Sequence, residues 1–581
     1  MPLKPTKQQR EIIENKHGLF TVRACPGSGK TFTVAARLNH ALKEWPNQHR
    51  GVAVASFTNV AWKEIADYLA LEFERPPLGH PHFLGTLDSF INKYVFLPYG
   101  HLVMPSKARP ILTGPPHDDR EPIGSWIWWQ SQDCNAKGCL LNDFTYDMNQ
   151  NVIRIGYSEM GHKCSVNGRP CTVKKPIFTA RGLATQSDAI VFSVMVLKKY
   201  PAIAKALAYR FPFLIVDEAQ DTSVEQMAII DLLIENGLRE VMLVGDPDQA
   251  IYEWREAEPS LFLHKCSAWK DNSASLSENW RSSRHICQAA NQMCSSAISM
   301  TAANPKVADY VIKPSVMGYA SDNDIPKIVK SFIRECSEAG IAVGDRYALT
   351  RSKELVNVIV PGTFPGRYHP WSEDAPLTGP LAHAKYLYDQ EEYSGSMRMM
   401  ERIVYRKQVD NGQVSFSKLY PTSNHLAFRA ELFSALERLP KTADITLGVW
   451  VQEAQAIVNQ MPLLGVDRTL KVKRPSKIAH YPSLHFNMVF GQSTQSAVLS
   501  DLSSQTVHAA KGTSLDAVLI VLKKKGASGP YYSSLIAKKV GLHECEELRI
   551  VYVALTRAKR ILWLLVPGAD QAAWSRYLGV N

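Results

Sequence analysis

Ala24-Cys25-Pro26-Gly27-Ser28-Gly29-Lys30-Thr31 follows an apolar run at residues 18–24 and precedes a helical pattern at residues 32–42. Strand, glycine-bearing loop and helix in that order make the context of a phosphate-binding P-loop. Gly27 and Gly29 let backbone N–H groups approach phosphate oxygens, and Cys25, Pro26 and Ser28 complete the cradle. Lys30 reaches the β and γ oxygens, and Thr31 offers its hydroxyl to Mg²⁺ at a helix N-terminus whose dipole favours anions. A glycine-rich turn that binds nothing is the competing reading, and the flanking strand and helix weigh against it. ATP and Mg²⁺ are the expected ligands.

Working outward, strand-like runs at residues 51–56, 213–216, 241–244 and 517–521 are each followed by polar or glycine-rich turns and helical patterns. That alternation is the mark of an α/β fold with parallel sheets, whose ligands gather outside the carboxyl ends of the strands. The run at 213–216 ends in Asp217-Glu218-Ala219-Gln220. Asp217 is expected in the Mg²⁺ sphere and Glu218 beside the attacking water, because in-line phosphoryl transfer is catalysed mainly by positioning and charge stabilisation. Two acids at a strand end also suit a helix N-cap. The run at 241–244 delivers Gly245-Asp246-Pro247-Asp248-Gln249-Ala250-Ile251-Tyr252-Glu253-Trp254-Arg255. The Gln249 amide can hydrogen-bond a γ-phosphate, and Tyr252, Trp254 and Arg255 offer planar faces on which bases stack at ~1–3 kcal/mol each. A Tyr/Trp pair serves equally well as core.

At 581 residues the chain is too long for one hydrophobic core. With 45% apolar and 21% charged residues it reads as folded throughout, neither disordered nor fibrous. Lys plus Arg total 66 against 55 Asp plus Glu, a net charge of +11 that attracts polyanions and also aids solubility. The ten cysteines are scattered, the start MPLKPTKQQR lacks an apolar signal core, and runs such as 517–522 and 561–567 are far shorter than a membrane helix. A membrane span needs ~20 apolar residues, so a cytoplasmic location is expected. Two stretches, from about 93 to 180 and from about 361 to 496, break the alternation and read as insertions. Within the first, Cys134, Cys139, His162, Cys164 and Cys171 have spacings that allow zinc, though reduced, half-buried thiols explain them as well. Trp126, Trp128 and Trp129 read as packing of that insertion, and Lys523-Lys524-Lys525 as a solvated turn.

More segments carry the argument further. Pro5-Thr6-Lys7-Gln8-Gln9, Ser56-Phe57-Thr58-Asn59, Gly85-Thr86-Leu87-Asp88-Ser89-Phe90 and Leu276-Ser277-Glu278-Asn279-Trp280-Arg281-Ser282 stand in order along the chain. Thr506-Val507-His508-Ala509-Ala510-Lys511-Gly512 and Tyr552-Val553-Ala554-Leu555-Thr556-Arg557-Ala558-Lys559 follow. Together with the P-loop and the acidic strand end, this set resembles the UvrD/Rep helicases of superfamily one, over about residues 1–90, 180–290 and 500–570. The resemblance implies two RecA-like domains, each with an inserted subdomain: domain 1A at 1–92 and 181–275, 1B at 93–180, 2A at 276–360 and 497–581, and a compact 2B at 361–496.

It further implies that ATP lies between 1A and 2A, with Gln9 reading adenine, Trp280 stacking on it where relatives usually have Tyr, and Arg281 and Arg557 reaching the γ-phosphate. Arginine suits that task because its planar, permanently charged fork binds phosphate oxygens in two places. Phe57, Thr58, Asn59, Thr86, Tyr252, Trp254, Arg255 and His508 are the residues it assigns to DNA, and the implied polarity is 3′ to 5′ on single-stranded or tailed duplex DNA. Departures are visible: Thr513 and Ser514 follow Lys511-Gly512 where relatives place a Glu, Asp88 replaces a common His, and Trp62 a small residue. The short 2B and the GTLDSF segment also resemble the helicase subunit of Gabija-type anti-phage systems, which implies an adjacent-gene nuclease as a partner.

Overall fold

In the computed structural model the described residues run from 4 to 580, except 44, 46–48, 114–143, 155–169, 252–257, 295–297, 322–323, 352–358, 360–369, 373, 376, 410–424, 462–463, 465–468, 476–479, 491–500, 524–530 and 538–540. They gather into two compact units, one of residues 1–119, 127–355 and 501–581 and the other chiefly of residues 356–500.

The first unit holds two parallel sheets. One is built from β1 (Leu19–Ala24), β2 (Val52–Ser56), β3 (Phe83–Thr86), β4 (Phe213–Val216), β5 (Glu240–Gly245) and β6 (Ala274–Leu276), in the order β6-β1-β5-β4-β2-β3. Every pairing in it is parallel. Side chains alternate across a strand, so a strand buried on both faces must be apolar at every position. Phe213, Ile215, Met242 and Val244 accordingly pack on one face with Val34, Leu38 and Ile65, while Leu214, Val216, Val241 and Leu243 pack on the other with Val194, Ile230 and Phe262. The second sheet consists of β7 (Ser315–Tyr319), β8 (Arg346–Thr350), β9 (Ser503–Thr506), β10 (Leu515–Val521) and β11 (Ala558–Pro567), in the order β7-β11-β10-β8-β9 and again parallel. The fold class is thus the expected pair of helix-flanked parallel sheets. Because β6 closes the first sheet beside β1, motif residues 276–282 begin where the chain leaves that sheet.

Between the strands of the first sheet, Phe144–Tyr146 and Val152–Arg154 form an antiparallel hairpin. A fully buried ion pair, Lys175 to Asp188 at 2.7 Å, ties helix Pro170–Ala180 to helix Gln186–Lys199. Cys134, Cys139, His162, Cys164, Trp126, Trp128 and Trp129 lie outside the described residues, as does the side chain of Cys171. Among the described residues no group of three or more His, Cys, Asp or Glu could hold a metal, and no helix is long and apolar enough to cross a membrane. The second unit is helical, with Thr378–Asp389, Tyr393–Val409, His425–Arg438 and Leu447–Asn459 packed around Leu381, Met400, Leu436 and Trp450. The indole of Trp450, which is fully buried, donates to Pro440 O at 3.0 Å.

Candidate nucleotide site

The P-loop leaves β1 and turns into α-helix Lys30–Lys43. Gly27 and Gly29 have φ of +70° and +76°, the left-handed region in which a side chain is strained. Space forbids one as well: a Cβ on Gly27 would stand 2.7 Å from Arg281 Cβ, and one on Gly29 2.8 Å from Gln9 Nε2. Gln9 is buried, its Nε2 donating to Ser28 O at 3.0 Å and its Oε1 accepting Thr6 N at 3.0 Å. The residue expected to read adenine therefore steadies the phosphate loop here and completes the capping box of helix Lys7–Glu14.

Across the loop, β4 delivers the paired acids. Glu218 adopts φ +54°, which aims its carboxylate at Lys30, whose Nζ lies 3.1 and 3.0 Å from the two oxygens. Burial works to raise the Glu218 carboxyl, yet Lys30 and Lys511 carry it down to about 2. Asp217 differs. Its Oδ1 accepts Glu218 N at 3.0 Å, whereas Oδ2 is buried with no hydrogen-bond partner. Burial and the neighbouring Glu218 charge push Asp217 up to about 7. A buried carboxylate oxygen without a donor fits a hard divalent cation that takes its other ligands from phosphate and water. Thr31 and Asp217 are the residues that would hold Mg²⁺.

Two arginines reach this place, Arg557 from the turn before β11 of the second sheet and Arg281 from the segment that follows β6. Arg557 is buried, its Nη2 donating to Gln249 Oε1 at 2.6 Å and its Nε to Val553 O at 3.0 Å. Gln249 in turn donates to Asp246 Oδ2 at 2.5 Å. Burial and the nearby Arg281 hold the Arg557 guanidinium below its ordinary pKa, the condition of a charge awaiting an anion. Arg281 Nε donates to Ser514 Oγ at 2.8 Å and its Nη1 to Thr556 O at 2.9 Å. Its segment is stitched to the P-loop: Trp280 N donates to Gly27 O at 2.9 Å and Asn279 Nδ2 to Pro26 O at 2.8 Å. Trp280 itself is 41% exposed, which leaves ring surface for a base. The two lobes also meet through Arg549 Nε to Ala250 O at 2.5 Å and His508 Nε2 to Ile251 O at 3.1 Å.

Four of the residues expected to face DNA leave neighbouring strands at one sheet edge. β2 and β3 are neighbours with Ser56 opposite Thr86, so Phe57, Thr58 and Asn59 emerge beside Thr86 at the carboxyl edge. Thr58 and Thr86 are helix N-caps, accepting from Ala61 N at 3.2 Å and Ser89 N at 3.1 Å. The departures have partners too: Trp62 Nε1 donates to Asn59 Oδ1 at 3.1 Å, and Asp88 Oδ1 accepts Gln226 Nε2 at 2.7 Å. Tyr252, Trp254 and Arg255 lie outside the described residues.

Sequence reasoning assigned no role to Gln220, Asp221 or Lys511. Gln220 Nε2 donates to Glu218 Oε2 at 2.6 Å, and Lys511 Nζ pairs with Asp221 Oδ2 at 2.6 Å across the lobes. The available signal was the place of Gln220 and Lys511 inside motifs and of Asp221 directly after one; which partners they meet is a tertiary fact.

Residues 5–106 and 141–269 match the family model described as UvrD/REP helicase N-terminal domain, and residues 491–567 match that of the UvrD-like helicase C-terminal domain. The ATP-dependent DNA helicase Rep of Escherichia coli is 22% identical over 97% of this chain and 90% of its own length. DNA helicase II of Haemophilus influenzae is 24% identical over 96% of this chain and 83% of its own. Rep of Buchnera aphidicola is 30% identical over 61% and 54%.

Proposed function

The chain belongs to the UvrD/Rep family of ATP-dependent DNA helicases, and from that premise we propose that it hydrolyses ATP between its two sheets to step 3′ to 5′ along single-stranded DNA. One observation carries the reading: Arg557 and Arg281, from the second lobe, stand against Gln249 and Gly27 of the first, where a triphosphate on Lys30 would end.

The residues divide the work. Entry of the nucleotide lets Lys30 exchange the Glu218 carboxylate for phosphate oxygens, which releases Glu218 to orient and polarise the attacking water. Thr31 and Asp217 would hold Mg²⁺, which when bound would neutralise charge on the phosphate oxygens. Arg281 and Arg557 stabilise the charge that builds on the transferred group, and Gln249 orients Arg557. Trp280 supplies a face for adenine, and the rim at Phe57–Asn59 and Thr86, with His508, carries the strand. Sequence-tolerant stacking and phosphate contacts suit a motor that crosses any base order.

Lys30→Ala tests the reading. It is expected to abolish DNA-stimulated ATP hydrolysis in a steady-state assay while the circular dichroism spectrum is unchanged; wild-type turnover in that variant contradicts the site. Duplexes with a 3′ or a 5′ tail test polarity, with strand separation expected only from the 3′ tail. A regulatory ATPase beside a nuclease is the second reading, suggested by the segment at residues 85–90 and the short insertion at 361–496. It predicts DNA-stimulated turnover with no strand separation from either tail.

A further inference from the structure

The acidic turn after β4 carries a device that the hydrolytic residues do not explain. Glu218 is followed by the single turn Ala219–Asp221, in which Asp221 N returns to Glu218 O at 2.9 Å, so the three side chains after Asp217 are held in one rigid knot. The Gln220 amide stands at its centre. Its Oε1 accepts Asp246 N at 3.0 Å, while its Nε2 is shared between Glu218 Oε2 at 2.6 Å and Asp221 Oδ2 at 3.1 Å. The two N–H groups of one amide thus tie the two carboxylates together.

The second of these carboxylates is also held from the other lobe. Lys511 leaves the short helix Val507–Ala510 at the end of β9, and its Nζ lies 2.6 Å from Asp221 Oδ2, with side chains 9% and 1% exposed. Asp221 Oδ1 is buried without a partner, so Lys511 supplies most of what compensates this carboxylate. We propose that Lys511 is an interlobe positioning residue: by neutralising Asp221 it lets that carboxylate anchor the Gln220 amide against Glu218, so that the hydrolytic carboxylate is set only while the lobes are closed. The proposal rests on the ATPase reading above and deepens it. When Lys511 withdraws, Asp221 is left uncompensated, and a buried carboxylate without its cation turns to water or takes up a proton. The Gln220 amide then loses its anchor and Glu218 its orienting donor. The same four-residue helix carries His508, bonded to Ile251 O just before the segment expected to grip DNA, so strand loading and the Asp221 contact belong to one short stretch.

The experiment compares steady-state ATP hydrolysis of the full chain, with and without oligo-dT, for the wild type, Lys511→Met, Lys511→Arg, Asp221→Asn and the Lys511→Met/Asp221→Asn double variant. Binding of a fluorescent, non-hydrolysable ATP analogue verifies that each variant holds nucleotide. Lys511→Met is expected to lower the DNA-stimulated kcat by about 10- to 100-fold, the range of couplings between linked sites, with little change in KM for ATP. Lys511→Arg is expected to restore part of the loss, and the double variant to lose less than the product of the single losses, as for residues acting as a pair. Stimulated turnover in Lys511→Met equal to wild type overturns the latch, as does a loss confined to KM. Lys511→Met that binds no analogue while Asp221→Asn turns over normally overturns it too. A wild type with no DNA-stimulated hydrolysis overturns instead the reading on which it rests.

Discussion

Glu218 is the residue at which chemistry and strain coincide. A non-glycine residue at φ +54° costs on the order of 1–3 kcal/mol, sustained here by bonds from Lys30 and Gln220 to its carboxylate. Glu218→Gln retains the backbone and should still bind ATP. Turnover is expected to fall by about 10²–10⁴-fold, the contribution of a positioned base, in a single-turnover assay; turnover within a fewfold of wild type would reassign the water. Ser514 offers a second test. Its neutral hydroxyl orients Arg281 Nε without cancelling the guanidinium charge. Ser514→Glu would pair with Arg281 and withhold it from phosphate, and a loss of roughly tenfold in kcat, equal to 1.4 kcal/mol, is expected by steady-state kinetics. At this scale Lys30, Thr31, Asp217 and Glu218 are legible from their types and spacing alone, because a phosphate loop and an acidic strand end are local arrangements. The hydrogen bonds of Gln9 to Ser28 and Thr6 are not legible in this way, because they depend on how helix Lys7–Glu14 lies against the loop. The Lys511–Asp221 pair spans 290 positions and leaves no local trace.

Elements behave similarly. The run at 213–216 is readable as a buried strand because all four of its residues are apolar, and burial on both faces is what the structure shows. Ile215→Ala removes three carbon atoms from a fully buried position between β2 and β5 and is expected to cost about 2–5 kcal/mol by urea unfolding, with ATP KM little changed. By contrast β9 is Ser503-Ser504-Gln505-Thr506, a strand with no apolar signal, formed because Tyr347 to Thr350 of β8 pair with it. No periodicity announces such a strand; its neighbour does. Gly27 joins element to site. Gly27→Ala places a methyl 2.7 Å from Arg281 Cβ and adds about 1–2 kcal/mol of left-handed strain, so the P-loop and the arginine segment must separate. ATPase activity should be lost with little change in the urea midpoint, since the displaced contact is between lobes.

On the whole-molecule scale, the polar contacts that join the lobes among the described residues include Arg557 to Gln249, Lys511 to Asp221, Arg549 to Ala250, His508 to Ile251 and Asn279 to Pro26. Two of them end on groups that a nucleotide would engage, so binding and lobe closure share the same side chains. That is how phosphate chemistry can become movement along a strand. The net charge of +11 adds a second expectation: single-stranded DNA affinity, read by fluorescence anisotropy, should fall linearly in log–log form with salt, at a slope of about −0.7 per phosphate contacted. Affinity insensitive to salt would remove the strand from the account.

The most direct measurement is a structure of the full chain with ADP, aluminium fluoride, Mg²⁺ and oligo-dT. Lys30, Arg281 and Arg557 are expected to converge on the fluoride group at about 3 Å, with Glu218 released from Lys30. A fluoride group touched by Lys30 while both arginines remain remote would contradict the two-lobed site.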